Sequence, residues 1–152
     1  MVIGVISDTH GVVTKKALEA LKGSQLIIHA GDVGDPKVIE TLEQIAPVYA
    51  VRGNTDRGRW AQALPMTQVV EVGDMHFFVI HDIGMLNLDP KAAGFNAVIY
   101  GHSHVPKEEW RDGVLYFNPG SAGPKRFRLP ICLGRMKITD GDIDVELVNL
   151  ET

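Results

Sequence analysis

The chain of 152 residues has little cysteine, no long apolar run and no excess of positive charge. Its single cysteine, Cys132, cannot form a disulfide within the chain, and no group of cysteines has zinc-binding spacing. The apolar runs are strand-sized and fall short of the roughly 18 residues that a membrane span needs. The sequence starts directly in a strand pattern, without a basic and apolar leader. We therefore expect a cytoplasmic protein that does not associate with membranes.

The balance of charge also bears on partners. Fifteen Lys and Arg face nineteen Asp and Glu, which gives a net charge of −4, and no basic block is present. This balance argues against tight nucleic-acid binding, although it permits a nucleotide-sized substrate. The chain is 45% hydrophobic and 22% charged, which excludes a disordered protein. The length predicts one domain spanning residues 1–152.

The first half alternates between strand and helix patterns. Short β-branched runs predict strands at Val2–Ile6, Leu26–Ala30 and Val48–Val51. Between them, Thr14 and Asp35 are N-cap candidates for two amphipathic helices. This order of elements predicts parallel strands joined by right-handed crossovers.

The second half is dominated by hairpin signals. Strand patterns flank turns at Gly73-Asp74, Asp112-Gly113 and Asp140-Gly141-Asp142. Between the first two hairpins, Pro90–Ala93 is interpreted as a short helix and Ala97–Tyr100 as a strand. These hairpins predict a mixed or antiparallel sheet that packs on the first.

Polar side chains follow almost every apolar strand of this pattern. They comprise two carboxylates, one amide and four imidazoles, namely Asp8, His10, Asp32, Asn54, His81, His102 and His104. Ligands bind outside the carboxyl ends of the strands in an open α/β sheet, so these groups can converge on one crevice. Near a strand end, residues two apart point the same way. The pair Asp8 and His10 and the pair His102 and His104 can therefore each present two ligands to one site.

Seven such side chains fit two divalent ions that share a carboxylate. Nitrogen and oxygen ligands without thiolate favour Mn, Fe, Co, Ni or Zn over a site for Mg or Ca alone. Two ions would polarise a phosphoryl group and lower the pKa of a bridging water, so that hydroxide attacks phosphorus. The sequence lacks a Gly-x-Ser-x-Gly elbow and a P-loop, which agrees with a reaction that needs no protein nucleophile.

The clusters also resemble those of the calcineurin-like metallophosphoesterase superfamily. In order they are Asp8-Thr9-His10, Gly31-Asp32, Gly53-Asn54-Thr55-Asp56, His81 and Gly101-His102-Ser103-His104. The short length and the later Asn118-Pro119-Gly120-Ser121 are similar to the small bacterial and archaeal phosphodiesterase branch. The resemblance implies a four-layer αββα sandwich of two mixed β-sheets flanked by helices.

Carried over by position, the resemblance also implies the ligand sets. Asp8, His10, Asp32 and His104 would hold one metal. Asp32 would bridge to a second, completed by Asn54, His81 and His102. We expect two divalent transition-metal ions, manganese in preference to nickel, cobalt, iron or zinc.

Two positions depart from the superfamily pattern. Many members have His directly after the Asn, where it can protonate the leaving oxygen, and this chain has Thr55. A hydroxyl is a poor general acid near neutral pH, which favours substrates with a good leaving group. The small branch often has His-Gly-His where this chain has His81-Asp82-Ile83, so Asp82 adds a negative charge close to an anionic substrate.

The predicted function is hydrolysis of a small phosphodiester or nucleotide-like substrate. Alternatives are a phosphomonoesterase, a nuclease for short single strands, and a non-catalytic interaction scaffold, as with a retromer subunit of this fold. Arg57, Lys125 and Arg126 are candidates to hold the substrate phosphate or are ordinary solvated charges. Arg52 is expected to pack near the site, with Asp56 beside it or beside a ligating histidine. The sequence leaves a homodimer or homotetramer open.

Overall fold

The computed structural model describes residues 1–151, which form two five-stranded sheets and a few short helices. The strands are β1 Val2–Ile6, β2 Leu26–His29, β3 Val48–Ala50, β4 Thr67–Val72, β5 Met75–Ile80, β6 Ala97–Ile99, β7 Lys107–Arg111, β8 Val114–Asn118, β9 Cys132–Thr139 and β10 Asp142–Asn149. The helices are α1 Lys15–Leu21, α2 Pro36–Glu43, α3 Arg59–Gln62 and a 3-10 helix at Ile83–Met85.

The first sheet has the strand order β10-β9-β1-β2-β3. Its three N-terminal strands are parallel, as the sequence predicts, with Val5 beside Ile28 and Ile28 beside Tyr49. The third hairpin, β9–β10, does not join the second sheet as its position suggested. It returns to the first sheet, where β9 runs antiparallel to β1.

The second sheet has the order β4-β5-β6-β8-β7, with β5, β6 and β8 parallel. The two predicted hairpins supply its edges, β4–β5 through Gly73-Asp74 and β7–β8 through Asp112-Gly113. Positive φ angles of 51° and 80° at Asp112 and Gly113 are those of a turn whose twist matches the flanking strands.

The two sheets face each other across an apolar core that includes Val5, Phe77, Leu115, Phe117 and Met136. The predicted sandwich is therefore confirmed, and its two outer layers differ. The outer face of the first sheet is covered by the helices in one buried cluster. The outer face of the second sheet packs against the 3-10 helix and the turns that follow it.

The N-terminal helices begin where their caps predict. The Thr14 side chain accepts a hydrogen bond from the Ala17 N–H, and Asp35 accepts one from the Lys37 N–H at 2.9 Å. The prediction of a helix at Pro90–Ala93 is wrong. That segment forms hydrogen-bonded turns that end at Gly94, whose φ of +85° stops further helical growth.

Two further elements were not predicted, helix α3 and the 3-10 helix at Ile83–Met85. Both span less than two turns, too few residues for a helical period to show in the sequence. None of the helices within residues 1–151 has the length and apolar character of a membrane-crossing segment.

Candidate metal centre

The seven predicted side chains lie together at one end of the sandwich, in loops, one to five residues beyond the end of a strand. Five of them have positive φ angles, a conformation uncommon outside glycine. These are Asp8 at 54°, His10 at 46°, Asp32 at 56°, His102 at 71° and His104 at 63°. Only three other non-glycine residues in the described chain share it, so the backbone strain is concentrated in this cluster. Such concentration is typical of functional sites.

Glycines beside the cluster leave room for its carboxylates. A Cβ on Gly53 would lie 2.1 Å from Asp32 Oδ1, and one on Gly101 would lie 2.6 Å from Asp8 Oδ2. Both distances are far inside van der Waals contact. Any other residue at these two positions would displace a carboxylate of the cluster.

One half of the cluster surrounds Asp8. Its Oδ1 lies 3.3 Å from His104 Nε2 and 3.9 Å from His10 Nε2. The two imidazole Nε2 atoms are themselves 3.4 Å apart. Two neutral imidazoles that point ring nitrogens at each other and at a carboxylate form a ready-made set of metal ligands, because a cation would satisfy all three lone pairs.

The other half surrounds Asp32 and His81. Asp32 Oδ2 lies 3.3 Å from His81 Nε2 and 3.8 Å from His10 Nε2, so it faces one histidine of each half. Asn54 Oδ1 lies 3.0 Å from His81 Nε2 and 3.2 Å from His102 Nδ1. All four side chains of this half, Asp32, Asn54, His81 and His102, have oxygen or nitrogen atoms that approach one another in the same small volume.

The donor atoms fit divalent metal ions. Asp8 Oδ1 is a buried carboxylate oxygen without a hydrogen-bond partner among the described residues. His81 Nδ1 donates to the Ala30 carbonyl at 2.8 Å, which leaves Nε2 free as a ligand atom. Two overlapping ligand groups result, Asp8 with His10 and His104, and Asp8 with Asp32 and His81.

The electrostatics of the pair Asp32 and His81 favour their charged forms. Burial alone would raise the pKa of Asp32, but hydrogen bonds from His81 and from the Thr55 N–H outweigh it and hold that pKa below its usual range. Burial alone would lower the pKa of His81, but Asp32 and Asp8 outweigh it and raise that pKa. His10 differs, because burial dominates and lowers its pKa. The carboxylates of Asp8 and Asp32 thus favour a positive charge at this position, and a metal ion bound there would take the place of the proton on His81 Nε2.

Asp56 has a different role from the one expected beside Arg52 or a histidine. Its carboxylate accepts three backbone hydrogen bonds, from Val33 at 3.2 Å, Gly34 at 2.9 Å and Gly53 at 2.9 Å. It therefore ties the loop after β2 to the loop after β3, the loops that carry Asp32 and Asn54. Only its position in the G-N-x-D motif singled it out in the sequence.

The Asn118-Pro119-Gly120-Ser121 segment is hydrogen-bonded to the loops that carry the cluster. Asn118 Nδ2 donates to the Gly101 carbonyl at 3.1 Å and to Ser103 Oγ at 3.1 Å. Ser121 Oγ donates to the Asp8 carbonyl at 3.0 Å. This turn therefore fixes the backbones that carry Asp8, His102 and His104.

His29 is a buried histidine whose two ring nitrogens both have hydrogen-bond partners. Its Nδ1 accepts from the Gly31 N–H at 3.1 Å, so Nε2 carries the proton and donates to Thr9 Oγ1 at 3.0 Å. Burial lowers the pKa of His29 to about 4. Cys132 is also buried, and burial raises the pKa of its thiol to about 11.

Four charged residues near the centre differ in their surroundings. Lys125 is paired with Glu151, so it is not a free cation. The charge of Arg126 contributes to lowering the pKa of His10, after burial and against two carboxylates, so this exposed arginine lies near the centre. Asp82 caps the 3-10 helix through the Gly84 N–H and lies 3.9 Å from His102 Nε2. Arg57 is exposed.

Comparisons with known proteins agree with this geometry. Residues 1–141 match the calcineurin-like phosphoesterase superfamily domain. A probable metallophosphoesterase of Methanocaldococcus jannaschii is 35% identical over 99% of this chain and 82% of its own. The structure of an archaeal phosphodiesterase is 28% identical, covers 97% of this chain and 100% of its own, and has a TM-score of 0.81.

A further likeness concerns the fold alone. The zinc complex of Vps29 from Entamoeba histolytica is 20% identical, covers 99% of this chain and 100% of its own, and has a TM-score of 0.77.

Proposed function

The chain belongs to the calcineurin-like phosphoesterase superfamily and is a metal-dependent phosphoester hydrolase, and we propose that it hydrolyses phosphodiesters with two divalent ions. The observation that carries the proposal is the buried Asp8 Oδ1 without a hydrogen-bond partner, at the centre of converging imidazole nitrogens. Unpaired buried carboxylates are costly, and a bound cation removes that cost. The archaeal phosphodiesterase of similar structure supports the choice of substrate class.

The ligand sets follow from the two halves of the cluster. We propose that Asp8, His10, Asp32 and His104 hold one ion and that Asp32, Asn54, His81 and His102 hold the other. Asp8 belongs to both ligand groups by distance. Asp32 Oδ2 faces one histidine from each half, at 3.8 Å from His10 and 3.3 Å from His81, and Asp8 Oδ1 does the same with His104 and His81 at 3.3 Å and 3.9 Å. We nevertheless assign the bridge to Asp32, as the resemblance to the superfamily implies. Asp8 Oδ2 is already occupied by hydrogen bonds from Ser7 Oγ and the His102 N–H.

When bound, such a pair of ions polarises a phosphoryl group and lowers the pKa of a shared water. We propose manganese as the metal, in preference to nickel, cobalt, iron or zinc, all of which accept mixed imidazole and carboxylate sites. The chain's residues supply the rest. Arg126, whose charge acts on His10, is the arginine we propose to bind the substrate phosphate, and Asp32 is held in place by the Thr55 N–H at 2.9 Å.

The preference for diesters rests on Thr55. Its exposed side chain stands where a histidine would protonate the leaving oxygen, and a hydroxyl does so poorly. Thr55→His is expected to raise the turnover of alkyl phosphate monoesters, with Thr55→Asn as the control of similar polarity. Equal rates for both variants would show that protonation does not limit the reaction.

The experiment that tests the proposal measures metal content and activity on the same samples. Protein stripped with chelator is reloaded with Mn²⁺, Ni²⁺, Co²⁺, Zn²⁺ or Mg²⁺, and bis-p-nitrophenyl phosphate is compared with p-nitrophenyl phosphate. We expect two ions per chain by elemental analysis and faster hydrolysis of the diester. Asp32→Ala should bind fewer than two ions and lose activity, whereas Asp35→Ala, at a helix cap, should keep both.

Three outcomes would contradict parts of this proposal. Two tightly bound ions in Asp32→Ala would exclude the bridging role of Asp32. Hydrolysis of the monoester alone would favour a phosphatase. Metal binding without hydrolysis of either substrate would favour the scaffold function, which the full set of seven ligand side chains argues against. The single-domain organisation, the cytoplasmic location and the oligomeric state stay predictions.

A further inference from the structure

A cavity of about 650 Å³ opens directly beside the metal centre and shares two of its side chains, Asn54 and His81. The other residues around it are Arg52, Met66, Thr67, Phe78, Ile80, Asp82, Met85, Asn87 and Leu88. Its volume lies within the range of pockets that bind small organic molecules, about 300–1,000 Å³. A phosphate group at the metal centre would fill only a small part of such a space.

The walls of this cavity are mainly apolar. Phe78 and Ile80 come from strand β5 and lead straight to His81, while Met85 and Leu88 come from the segment that covers the second sheet. Met66 and Met85 are 59% and 72% exposed, so two thioether side chains stand unburied at the rim. Flexible thioethers adapt to the shape of a ligand and make favourable contacts with aromatic rings.

The charges around the cavity balance. Arg52 and Asp82 carry opposite signs, and no other residue around the cavity carries a fixed charge. Within residues 1–151, the Arg52 guanidinium has no carboxylate within ion-pair distance, and its Nε donates to Met66 Sδ at 3.2 Å. A planar guanidinium in this position can stack on a ring. Asp82 disfavours a second anionic group, so the cavity suits an uncharged one.

We propose that this cavity binds the organic ester group of the substrate, an uncharged group that carries an aromatic ring, while the phosphate lies at the metal centre. The inference rests on the proposed function and narrows its substrate class. The continuity of the cavity with Asn54 and His81 places a ring there within one ester linkage of the phosphorus. Side chains outside the metal-ligand set, chiefly Met66, Met85 and Leu88, then contribute to the choice of substrate.

The test measures binding of phosphonates, whose C–P bond does not hydrolyse, to the Mn²⁺-loaded protein by calorimetry. The probes are methylphosphonate, benzylphosphonate, (1-naphthylmethyl)phosphonate and 4-carboxybenzylphosphonate. Because burial of a ring removes apolar surface from water, we expect the naphthyl probe to bind about ten-fold or more tightly than methylphosphonate. The carboxylated probe should bind more weakly than benzylphosphonate.

Variants identify the cavity as the source of this preference. The double variant Met66→Gln/Met85→Gln keeps side-chain length, adds no charge, and should reduce the naphthyl-to-methyl affinity ratio at least three-fold. Thr67→Trp, on an exposed residue of strand β4, should fill part of the cavity and reduce the ratio further. Leu147→Gln is the matched control, since Leu147 is 43% exposed on strand β10 and lies outside the cavity. It should keep the wild-type ratio.

Equal binding of all four probes, or tightest binding of the carboxylated one, would overturn the inference. If bis-p-nitrophenyl phosphate is still hydrolysed in that case, the proposed phosphodiesterase function survives and only the ring-binding role of the cavity fails. If no phosphonate binds and no diester is hydrolysed, both the proposed function and this inference fail.

Discussion

The two ends of the sandwich use glycine in different ways. At the hairpin end, a Cβ added to Gly73, Gly113 or Gly141 would meet no atom within 4 Å. At the metal-centre end, a Cβ on Gly53 would lie 2.1 Å from Asp32 Oδ1. The hairpin glycines are therefore needed for the backbone conformation of the turns. Gly53 is needed because a side chain there would displace the carboxylate of Asp32.

The polar groups of the two ends differ in the same way. The hairpin turns are exposed, and water can satisfy their backbone groups. At the metal-centre end, the backbone N–H groups of Val33, Gly34 and Gly53 depend on the buried carboxylate of Asp56. Substitutions at the hairpin end should consequently cost stability alone, and modestly, whereas those at the other end should cost stability and activity together.

The largest expected effect on stability is that of Asp56→Ala. The substitution leaves three backbone N–H groups without their acceptor, and we expect it to lower the free energy of unfolding by about 3 kcal/mol or more. Urea unfolding monitored by circular dichroism measures this change. Asp35→Ala, which removes one exposed helix cap, is the control and should cost about 1 kcal/mol. Similar losses in both variants would argue against a special role for Asp56.

Gly53→Ala tests the space beside Asp32. The added methyl group must displace the carboxylate, and a misplacement of this kind can reduce activity about 100-fold. We expect a matching loss of Mn²⁺ affinity, measured by titration of the chelator-treated protein. Retention of wild-type metal affinity would show that the loop moves aside without disturbing Asp32.

Titration of His29 makes the stability of the folded protein depend on pH. Its pKa is about 4 in the folded protein and 6.5 as an ordinary histidine, so protonation favours the unfolded chain. Its contribution to stability is complete above pH 6.5 and declines as the pH falls from 6.5 towards 4. The loss should be about 2 kcal/mol by pH 5.

The measurement compares urea unfolding of chelator-treated wild type and His29→Asn at pH 7 and pH 5. The variant keeps an acceptor for the Gly31 N–H but does not titrate. It should therefore be less stable at pH 7 and show a smaller loss between the two pH values. An equal loss in both proteins would assign the pH dependence to other groups.

The smallest effect is expected from Gly113→Ala, the same chemical change as Gly53→Ala at the opposite end. The φ angle of +80° disfavours alanine by about 1 kcal/mol, and the methyl group has free space. Stability should fall by that amount, while kcat/KM and metal content stay at the wild-type level. A loss of activity in Gly113→Ala would show that the two ends are coupled.

Local signals in the sequence predicted most of the fold. These signals are the apolar strand runs, the helix caps at Thr14 and Asp35, and the hairpin turns. Each depends on residues that are close in the chain, and for that reason the predictions based on them were confirmed. The return of β9–β10 to the first sheet depends on pairing between residues such as Val2 and Lys137. No local pattern reports which of two apolar faces a distant hairpin will join.

The convergence of the seven side chains could also be expected from the sequence, because strand ends of a parallel sheet meet at one edge. The role of Asp56 could not be predicted from the sequence. A carboxylate that follows a strand gives the same sequence pattern whether it binds metal, pairs with arginine or accepts backbone hydrogen bonds. The cavity beside His81 was missed for a similar reason. Its walls come from β4, β5 and the turns after them, and only their packing creates the space.

The position of β1 between β2 and β9 has a consequence for the order of folding. Asp8 follows β1, yet β1 pairs with residues 134–137, and the Asp8 carbonyl accepts its hydrogen bond from Ser121. Contacts of such long sequence separation form slowly, because a large loop must close before they contribute. On the ribosome, β1 is made well before residues 134–137, and Asp8 is not fixed until those residues have been made. Metal binding to the newly made chain is therefore a late event, and its rate reports the completion of folding.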